Sequence, residues 1–318
     1  MTCSVCENST GNRTFEAREM MFGTGDRFTY LECRNCGCVQ LLDVPVDLST
    51  FYPPNYYSFA PAIPKTGRKL IMKRLRDRYA ATGQGLLGKL LYAYPLGPHP
   101  ALRALSKVSL NPKSAILDVG CGQGNLLREL HDIGFTNLLG VDPFLAHDID
   151  YPGGLRILKR SLAEVPGRFD LIMLHHVFEH LPNPQEMLGL MAGRLAPGGT
   201  VLLRIPIADS YAYRHYGADW AQLDAPRHLF LHTRSSIQQL GNAADLKVVK
   251  VVNDSMAFQF WGSEQYRRGI PLMAPESYRN RKVGGLFGPA QIGEFTRRAN
   301  ALNRAGEGDQ AAFYLQRA

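Results

Sequence analysis

Three glycines at alternate positions, just after a short apolar run, are the residues of this chain that point most clearly to chemistry. The run is Ile116–Val119, and the glycines are Gly120, Gly122 and Gly124. A strand, a glycine turn and a helix let the backbone approach a nucleotide-like ligand, because a Cβ would obstruct both the turn and the ligand. Asp118 precedes the turn, and Asp142 ends the next apolar run, where a carboxylate can accept ribose hydroxyls. The spacing predicts a nucleotide-like ligand between two neighbouring strands.

A cluster of titratable side chains follows a later apolar run. Its members are His175, His176, Glu179 and His180. Imidazole titrates near neutral pH and can take a proton from a hydroxyl or carbon nucleophile. We take His180 as the first candidate for this base and His176 as the second, with Glu179 orienting either ring. Two alternatives stay open: a structural or cofactor-positioning role for each histidine, and a divalent ion held by Glu179 and His180.

The N-terminal segment carries two Cys-x-x-Cys pairs. The four residues are Cys3, Cys6, Cys33 and Cys36. Each pair can supply two thiolates to a tetrahedral zinc, and four cysteines leave no open position for catalysis. The apolar residues between the pairs are too few for an unaided core, which favours a structural metal. Disulfides and a redox pair are the weaker alternatives. We expect Cys38 to be a spare thiol and Cys121 to be inert.

The elements that must position these groups alternate between strands and helices. Apolar runs predict strands at 116–119, 138–142, 155–158, 169–174, 201–206 and 246–252, with a last strand at 308–315. This alternation of strands and helices predicts a parallel α/β sheet with right-handed crossovers. The carboxyl ends of such strands lie along one edge. The glycine loop, Asp142 and the histidine segment should therefore meet there.

The length and composition of the chain limit how many domains it can form. The chain has 318 residues, a net charge of +8 and 45% hydrophobic residues. We expect three parts: a zinc-ribbon-like module with an aromatic linker (1–60), a basic helical connector (61–112) and the α/β domain (113–318) with a helical insertion (253–309). The basic stretch within 65–91 is either a solvated helix face or a peripheral contact with an anionic membrane. Without a signal peptide or an apolar run of membrane-spanning length, a cytoplasmic location is expected.

The motif Asp-x-Gly-x-Gly-x-Gly, followed by the acid Asp142, resembles the class I S-adenosylmethionine-dependent methyltransferases. The resemblance implies a Rossmann-like seven-stranded sheet whose last strand is antiparallel. It also implies that Asp118 and the glycine loop hold the methionine end of S-adenosylmethionine, and that Asp142 holds the ribose. Leu162 and His175 are the further cofactor-binding candidates.

Two further motifs resemble bacterial methyltransferases that act on sugars and surface polysaccharides. They are Phe-Tyr-Pro-x-Asn-Tyr-Tyr after the cysteine pairs and Trp-x-x-Leu-Asp-x-Pro-x-His-Leu after the fifth strand. The resemblance implies a small-molecule or glycan acceptor, such as a nucleotide sugar, bound by Tyr56, Tyr57, Arg214, Trp220, Arg227 and His228. The alternative for each of these residues is packing of a loop or linker against the core.

Two other functions compete with this interpretation. A zinc ribbon and positive charge also suit an rRNA or tRNA methyltransferase. Against it, no Asn-Pro-Pro-aromatic motif follows the fourth strand, and no catalytic cysteine pair is apparent. The third possibility is a binding or scaffold protein with an inactive fold. The sequence does not decide the acceptor atom or the oligomeric state.

Overall fold

The computed structural model describes residues 1–52, 68–92 and 100–318. Two of the predicted substrate residues, Tyr56 and Tyr57, lie outside the described residues. The strands are β1 (Arg13–Arg18), β2 (Arg27–Glu32), β3 (Val39–Leu41), β4 (Ile116–Val119), β5 (Leu138–Val141), β6 (Ile149–Asp150), β7 (Arg156–Leu158), β8 (Phe169–His175), β9 (Leu195–Pro206), β10 (Phe230–Leu231), β11 (Leu246–Asn253) and β12 (Gln310–Arg317).

The larger sheet has the order β11-β12-β9-β8-β4-β5-β7-β6. Strand β4 is parallel to both β5 and β8, and β8 is parallel to β9, whereas β12 is antiparallel to β9 and β11. The Rossmann-like α/β fold with an antiparallel last strand is confirmed. The predicted strand number of seven needs one addition, because the two-residue strand β6 pairs with the edge of β7.

Helices cover both faces of this sheet. They are α1 (Arg68–Thr82), α2 (Leu86–Tyr92), α3 (Pro100–Leu105), α4 (Asn125–Asp132), α5 (Pro184–Arg194), α6 (Tyr211–Tyr216), α7 (Arg234–Ala243), α8 (Phe258–Arg267) and α9 (Pro289–Ala305). Helix α4 shows how its sequence sets its packing: Leu127 and Leu130 lie about one turn apart on the same face, and both are fully buried. The apolar stripe of α4 thus selects the face that packs on the strands.

The smaller sheet joins the cysteine-bearing segment to the rest of the chain. Strands β1, β2 and β3 form an antiparallel sheet, and β3 pairs with β10 through Val39–Leu231 and Gln40–Phe230. We call the first three strands with their cysteines the ribbon. The fourth strand of this sheet, β10, belongs to the α/β domain, so the ribbon and that domain share one sheet.

The ribbon and the α/β domain also share a hydrophobic core. Tyr30 and Leu31 of β2 are fully buried in the same cluster as Trp220, Phe260 and Phe295. Trp220 lies in the loop after α6, and Phe260 and Phe295 lie on α8 and α9. The core that the ribbon lacks by itself is therefore completed by the loop and helices that follow β9.

Part of the positive charge of the basic connector pairs with acids of the connector itself and of the α/β domain. Lys73 Nζ lies 2.6 Å from the buried carboxylate of Asp77 and 2.8 Å from Glu129 on α4. Arg76 also pairs with Asp77, at 2.7 Å, and Arg74 pairs with Asp132. These pairs reduce the charge offered to a membrane, and the membrane contact through 65–91 stays a prediction. Among the described residues, no helix is long and apolar enough to cross a bilayer.

Candidate active site

The glycine loop connects β4 to α4 in a backbone conformation that suits only glycine. Gly120, Gly122 and Gly124 have φ values of 71°, 53° and 70°. A Cβ on Gly120 would lie 2.6 Å from Val177, and one on Gly124 would lie 2.4 Å from Ile157. The loop is therefore packed tightly against both the histidine segment and β7.

Asp142, at the end of β5, binds the backbone of the glycine loop from the neighbouring strand. Its carboxylate accepts hydrogen bonds of 2.9 Å from the backbone N–H of Gly122 and of Phe144. The pairing of Asp118 with Gly140 places the two acids at the same edge of the sheet. The structure thus brings together the residues predicted to hold the cofactor.

Asp118 is buried where β4 ends. Burial, together with the nearby carboxylate of Asp142, raises the pKa of Asp118 to about 8. A cationic ligand such as the ammonium and sulfonium of S-adenosylmethionine would favour the ionised carboxylate. The donor set and the close glycine backbone therefore fit that cofactor.

We expect the affinity for S-adenosylmethionine to rise with pH up to about 8, the pKa of Asp118 in the free protein. The free protein holds a proton on Asp118 below its pKa of about 8, and cofactor binding should release it. Calorimetry in buffers of different ionisation enthalpy measures this release. Asp150→Asn, at an exposed edge position, should keep the pH dependence, whereas Asp118→Asn should abolish it. A pH-independent affinity with no proton release would contradict the assignment.

The histidine segment begins where β8 ends. His175 is the last residue of the strand; the residue is half-buried, and both of its ring nitrogens are buried. The next residue, His176, has a φ of 55°, in a region that residues with a Cβ seldom adopt. Its Nε2 accepts a hydrogen bond of 2.9 Å from Arg204, and its Nδ1 lies 3.3 Å from Glu179 Oε1.

Both ring nitrogens of His176 are therefore engaged. The guanidinium of Arg204 can only donate, so it occupies the Nε2 lone pair, and Nδ1 faces the carboxylate of Glu179. A ring in this arrangement has no lone pair left for a substrate proton. His176 is placed to position Glu179, which corrects its place as the second candidate for the base.

His180 and His228 are neighbouring rings that each keep a lone pair on Nε2. The Nδ1 of His180 donates to the carbonyl of Arg227 at 2.8 Å, and the Nδ1 of His228 donates to the carbonyl of Gln222 at 2.8 Å. A carbonyl can only accept, so each ring keeps its lone pair on Nε2. The ring centroids lie 4.7 Å apart. Burial, with the nearby His180, lowers the pKa of His228 to about 4.

Glu179 lies beside these two rings and is completely buried. Its Oε1 is 3.9 Å from Nε2 of His228. Among the described residues, no group makes a hydrogen bond of good geometry to either carboxylate oxygen. Burial alone would raise the pKa of Glu179, but the His176 ring and the nearby His180 lower it to about 2.

The four predicted zinc ligands converge at the tip of the ribbon. Cys3 Sγ lies 3.7 Å from Cys36 Sγ, and Cys6 Sγ lies 3.4 Å from Cys33 Sγ. In a tetrahedral site with Zn–S bonds of about 2.3 Å, the sulfur atoms lie about 3.8 Å apart. The four thiols therefore fit a zinc ion. Cys38 is buried nearby, outside this set of four.

A buried ion pair connects the ribbon to the histidines. Glu19, at the end of β1, lies 2.8 Å from Arg227, and both side chains are 0% exposed. Arg227 also pairs with Asp224 at 2.7 Å. Because the carbonyl of Arg227 holds His180, the ribbon supports the ring through this residue. The sequence offered no motif that could have singled out Glu19.

Three of the predicted substrate residues lie away from the cluster of Glu179, His180 and His228 or have their side chains engaged elsewhere. Trp220 is completely buried and donates to Asp309 at 2.9 Å, so it packs in the core. The side chain of Arg227 is likewise enclosed by acids. Arg214 is exposed, pairs with Glu307 and lines a separate groove beside the ribbon. Of the predicted substrate set, His228 is the member that the described structure brings to His180.

Leu162, the remaining predicted cofactor residue, is buried. It begins a 3-10 turn, Leu162–Glu164, directly after β7 and its short connection. The turn is closed by the Glu164 carboxylate, which accepts from the backbone N–H of Ser161 at 2.8 Å. This turn follows β7, which is parallel to the strand that precedes Asp142, so it lies at the same edge of the sheet as the glycine loop.

Known proteins match the part of the chain that contains these elements. Residues 96–251 match the family model described as a methyltransferase domain. The ubiquinone biosynthesis O-methyltransferase of Xanthomonas campestris is 31% identical, over 39% of this chain and 60% of the relative. That of Dechloromonas aromatica is 32% identical, over 35% of this chain and 53% of the relative. The matched segments thus span less than two thirds of these relatives' own lengths.

Solved structures were also similar at low sequence identity. The cyclopropane synthase MmaA2 from Mycobacterium tuberculosis is 16% identical, covers 80% of this chain and 99% of its own, and has a TM-score of 0.45. The sheet order and the glycine loop with its paired acids form a Rossmann-like methyltransferase fold, and the matched family model supports an S-adenosylmethionine-dependent methyltransferase domain over residues 96–251.

Proposed function

We propose that the chain transfers a methyl group from S-adenosylmethionine to a hydroxyl of a small-molecule or glycan acceptor. The acceptor class we favour is a sugar hydroxyl of a nucleotide sugar or a surface polysaccharide. We further propose that the four ribbon cysteines hold a structural zinc ion. Oxygen as the acceptor atom agrees with the names of the relatives from Xanthomonas and Dechloromonas.

One observation carries this proposal. Gly120 of the cofactor loop packs against Val177, which lies inside the histidine segment. The pocket formed by Glu179, His180 and His228 therefore adjoins the loop. In methyl transfer to a hydroxyl, the C–S bond breaks as the C–O bond forms, and the hydroxyl proton must leave. The free lone pairs of this pocket supply a place for that proton, and alignment of the two reactants supplies much of the rate.

The alternative acceptor, rRNA or tRNA, finds less support in the ribbon. Arg13 pairs with Glu32, Arg27 pairs with Glu16, and Arg18 pairs with Asp219 of the α/β domain. These carboxylates reduce the positive field that phosphate binding requires. The integration of the ribbon into a shared sheet favours a role in building the acceptor pocket.

We expect His180→Ala to lower kcat by about 10²–10⁴-fold and to leave cofactor affinity within a few-fold. The assay incubates the chain with S-adenosylmethionine and a panel of nucleotide sugars, glycans and RNA fragments, and detects methylated products by mass spectrometry. His147→Ala, an exposed histidine, is the matched control and should leave the rate unchanged.

Two outcomes would contradict the proposal. Transfer to RNA alone, with a steep loss at higher salt, would favour the alternative acceptor. Failure to bind the cofactor in calorimetry would indicate an inactive fold.

A further inference from the structure

We propose that a groove on the larger sheet binds a phosphate group, either as the free ion or as the monoester of a small molecule. The groove encloses about 430 Å³, and the residues that line it include Lys107, Ser114, Thr200 and Lys250. This volume lies within the range of small-molecule sites. Ser114 precedes β4, and Asp118 lies towards the other end of that strand. We call this groove the rear groove, because the cofactor loop lies at the opposite ends of the strands.

The first support is the charge of the rear groove. Lys107 lies in the connection from α3 to β4, and Lys250 lies on β11. Within the described parts of the chain, neither ammonium group pairs with a carboxylate. Asp170 supplies a carboxylate to the lining, and one of its oxygens accepts the backbone N–H of Ala115 at 2.8 Å. The two lysines outweigh this acid, so the groove attracts an anion.

The second support is a β-bulge that directs Lys250 to the rear groove. Val248 pairs with Leu315 and Lys250 pairs with Tyr314, so Val249 is an extra residue in β11. Leu315 packs on the face of the sheet that α7 covers, whereas Tyr314 packs on the face that α3 covers. In a regular strand Val248 and Lys250 would share a face. The bulge instead places Lys250 on the face of Tyr314, and bulges commonly redirect a side chain at functional sites.

The third support is a set of unused hydrogen-bond donors. Ser114 and Thr200 are only 4% and 3% exposed. The Oγ of Ser114 accepts from the backbone N–H of Asn111, and the Oγ1 of Thr200 accepts from Nε2 of Gln316, each at 3.1 Å. A hydroxyl also carries a donor hydrogen, and the described residues supply no acceptor for either one. The amide nitrogen of Asn111 is a further donor, because its oxygen already accepts from the backbone N–H of Lys113.

These groups suit a phosphate better than a carboxylate. Two ammonium groups and three neutral donors line the rear groove, and a phosphate offers three strong acceptor oxygens where a carboxylate offers two. Lysine commonly binds phosphate as a point charge. The groove is also larger than a phosphate ion, so it leaves room for a small group carried on a monoester. The proposed site does not depend on the proposed function.

A phosphorus NMR titration of the full chain at constant ionic strength tests the site, because the signal of a small phosphate broadens when it binds a protein. One arm uses inorganic phosphate and the other uses glucose 1-phosphate, and we expect saturable binding. Tighter binding of the ester would identify a monoester site, and equal binding would identify a site for the free ion. Replacing both Lys107 and Lys250 by alanine should weaken binding by at least about tenfold. Lys89→Ala, an exposed lysine outside the groove, is the control and should leave the affinity unchanged.

Thr200→Val is a second variant, which replaces the hydroxyl by a methyl group of similar shape and keeps both lysines. It should weaken binding by about fivefold, because one donor to the phosphate is lost. No saturable binding by the native chain in either arm, or unchanged affinity in the folded variants, would overturn the phosphate site. The titration contains neither S-adenosylmethionine nor acceptor, so such a result would leave the methyl-transfer assay unaffected. Circular dichroism shows whether each variant folds, and either folded variant is sufficient for the test.

Discussion

Replacing Glu19 by alanine is expected to lower the free energy of unfolding by about 3–5 kcal/mol. The change removes one of the two acids that pair with Arg227, whose side chain is 0% exposed. It also removes the acceptor for the backbone N–H groups of residues 21–24, which point at the Glu19 carboxylate. Urea denaturation of the native and variant chains measures the difference.

Glu16→Ala is the matched control for this prediction. Glu16 also lies on β1 and pairs with an arginine, but Glu16 and Arg27 are 59% and 63% exposed. An exposed pair contributes about 0–1 kcal/mol, so this variant should unfold close to the native chain. Equal effects of the two substitutions would show that the buried pair does not anchor the ribbon.

Cys33→Ser is expected to abolish zinc binding and to unfold the ribbon. The substitution removes one of four thiols from a closed site, and structural zinc contributes about 10–16 kcal/mol in small zinc domains. Zinc content measured by atomic absorption should fall from about one ion per chain to none. Hydrogen exchange should also accelerate in β3 and β10, because these strands pair with each other.

Cys121→Ser provides the control for the zinc prediction. Cys121 lies in the glycine loop, apart from the four converging thiols. This variant should retain zinc and protection of the ribbon strands. A native chain that contains no zinc, and a Cys33→Ser variant with unchanged exchange, would together exclude the structural metal.

The histidines show where sequence reasoning reached its limit. We rank His180 above His176 from the sequence, but both follow β8 and have the same chemistry, so nothing local shows which ring keeps a free lone pair. Arg204, which occupies the Nε2 of His176, comes from β9, and the carbonyl that orients His180 comes from Arg227. These partners lie 28 and 47 residues away in sequence. The availability of a lone pair was therefore decided by tertiary packing.

The aromatic and basic residues of the loop after β9 show a second limit. Trp220 and Arg227 were predicted to face the substrate because polar and aromatic residues in loops commonly bind ligands. The structure buries both, Trp220 against Asp309 and Arg227 against Glu19. Loop composition cannot show whether such a residue meets solvent or a second module, and here the ribbon covers Arg227.

The sequence by itself determined the elements that depend on short-range chemistry. The sequence could predict the strand Ile116–Val119, the glycine turn and the acid of the next strand. The positive φ of glycine, the periodicity of helices and the spacing of apolar runs are local properties of the chain. Only the tertiary structure decided that the ribbon shares a sheet with β10, and that Glu179, His180 and His228 converge. The physical reason is that these contacts join segments far apart in the chain, whose meeting depends on the packing of the whole molecule.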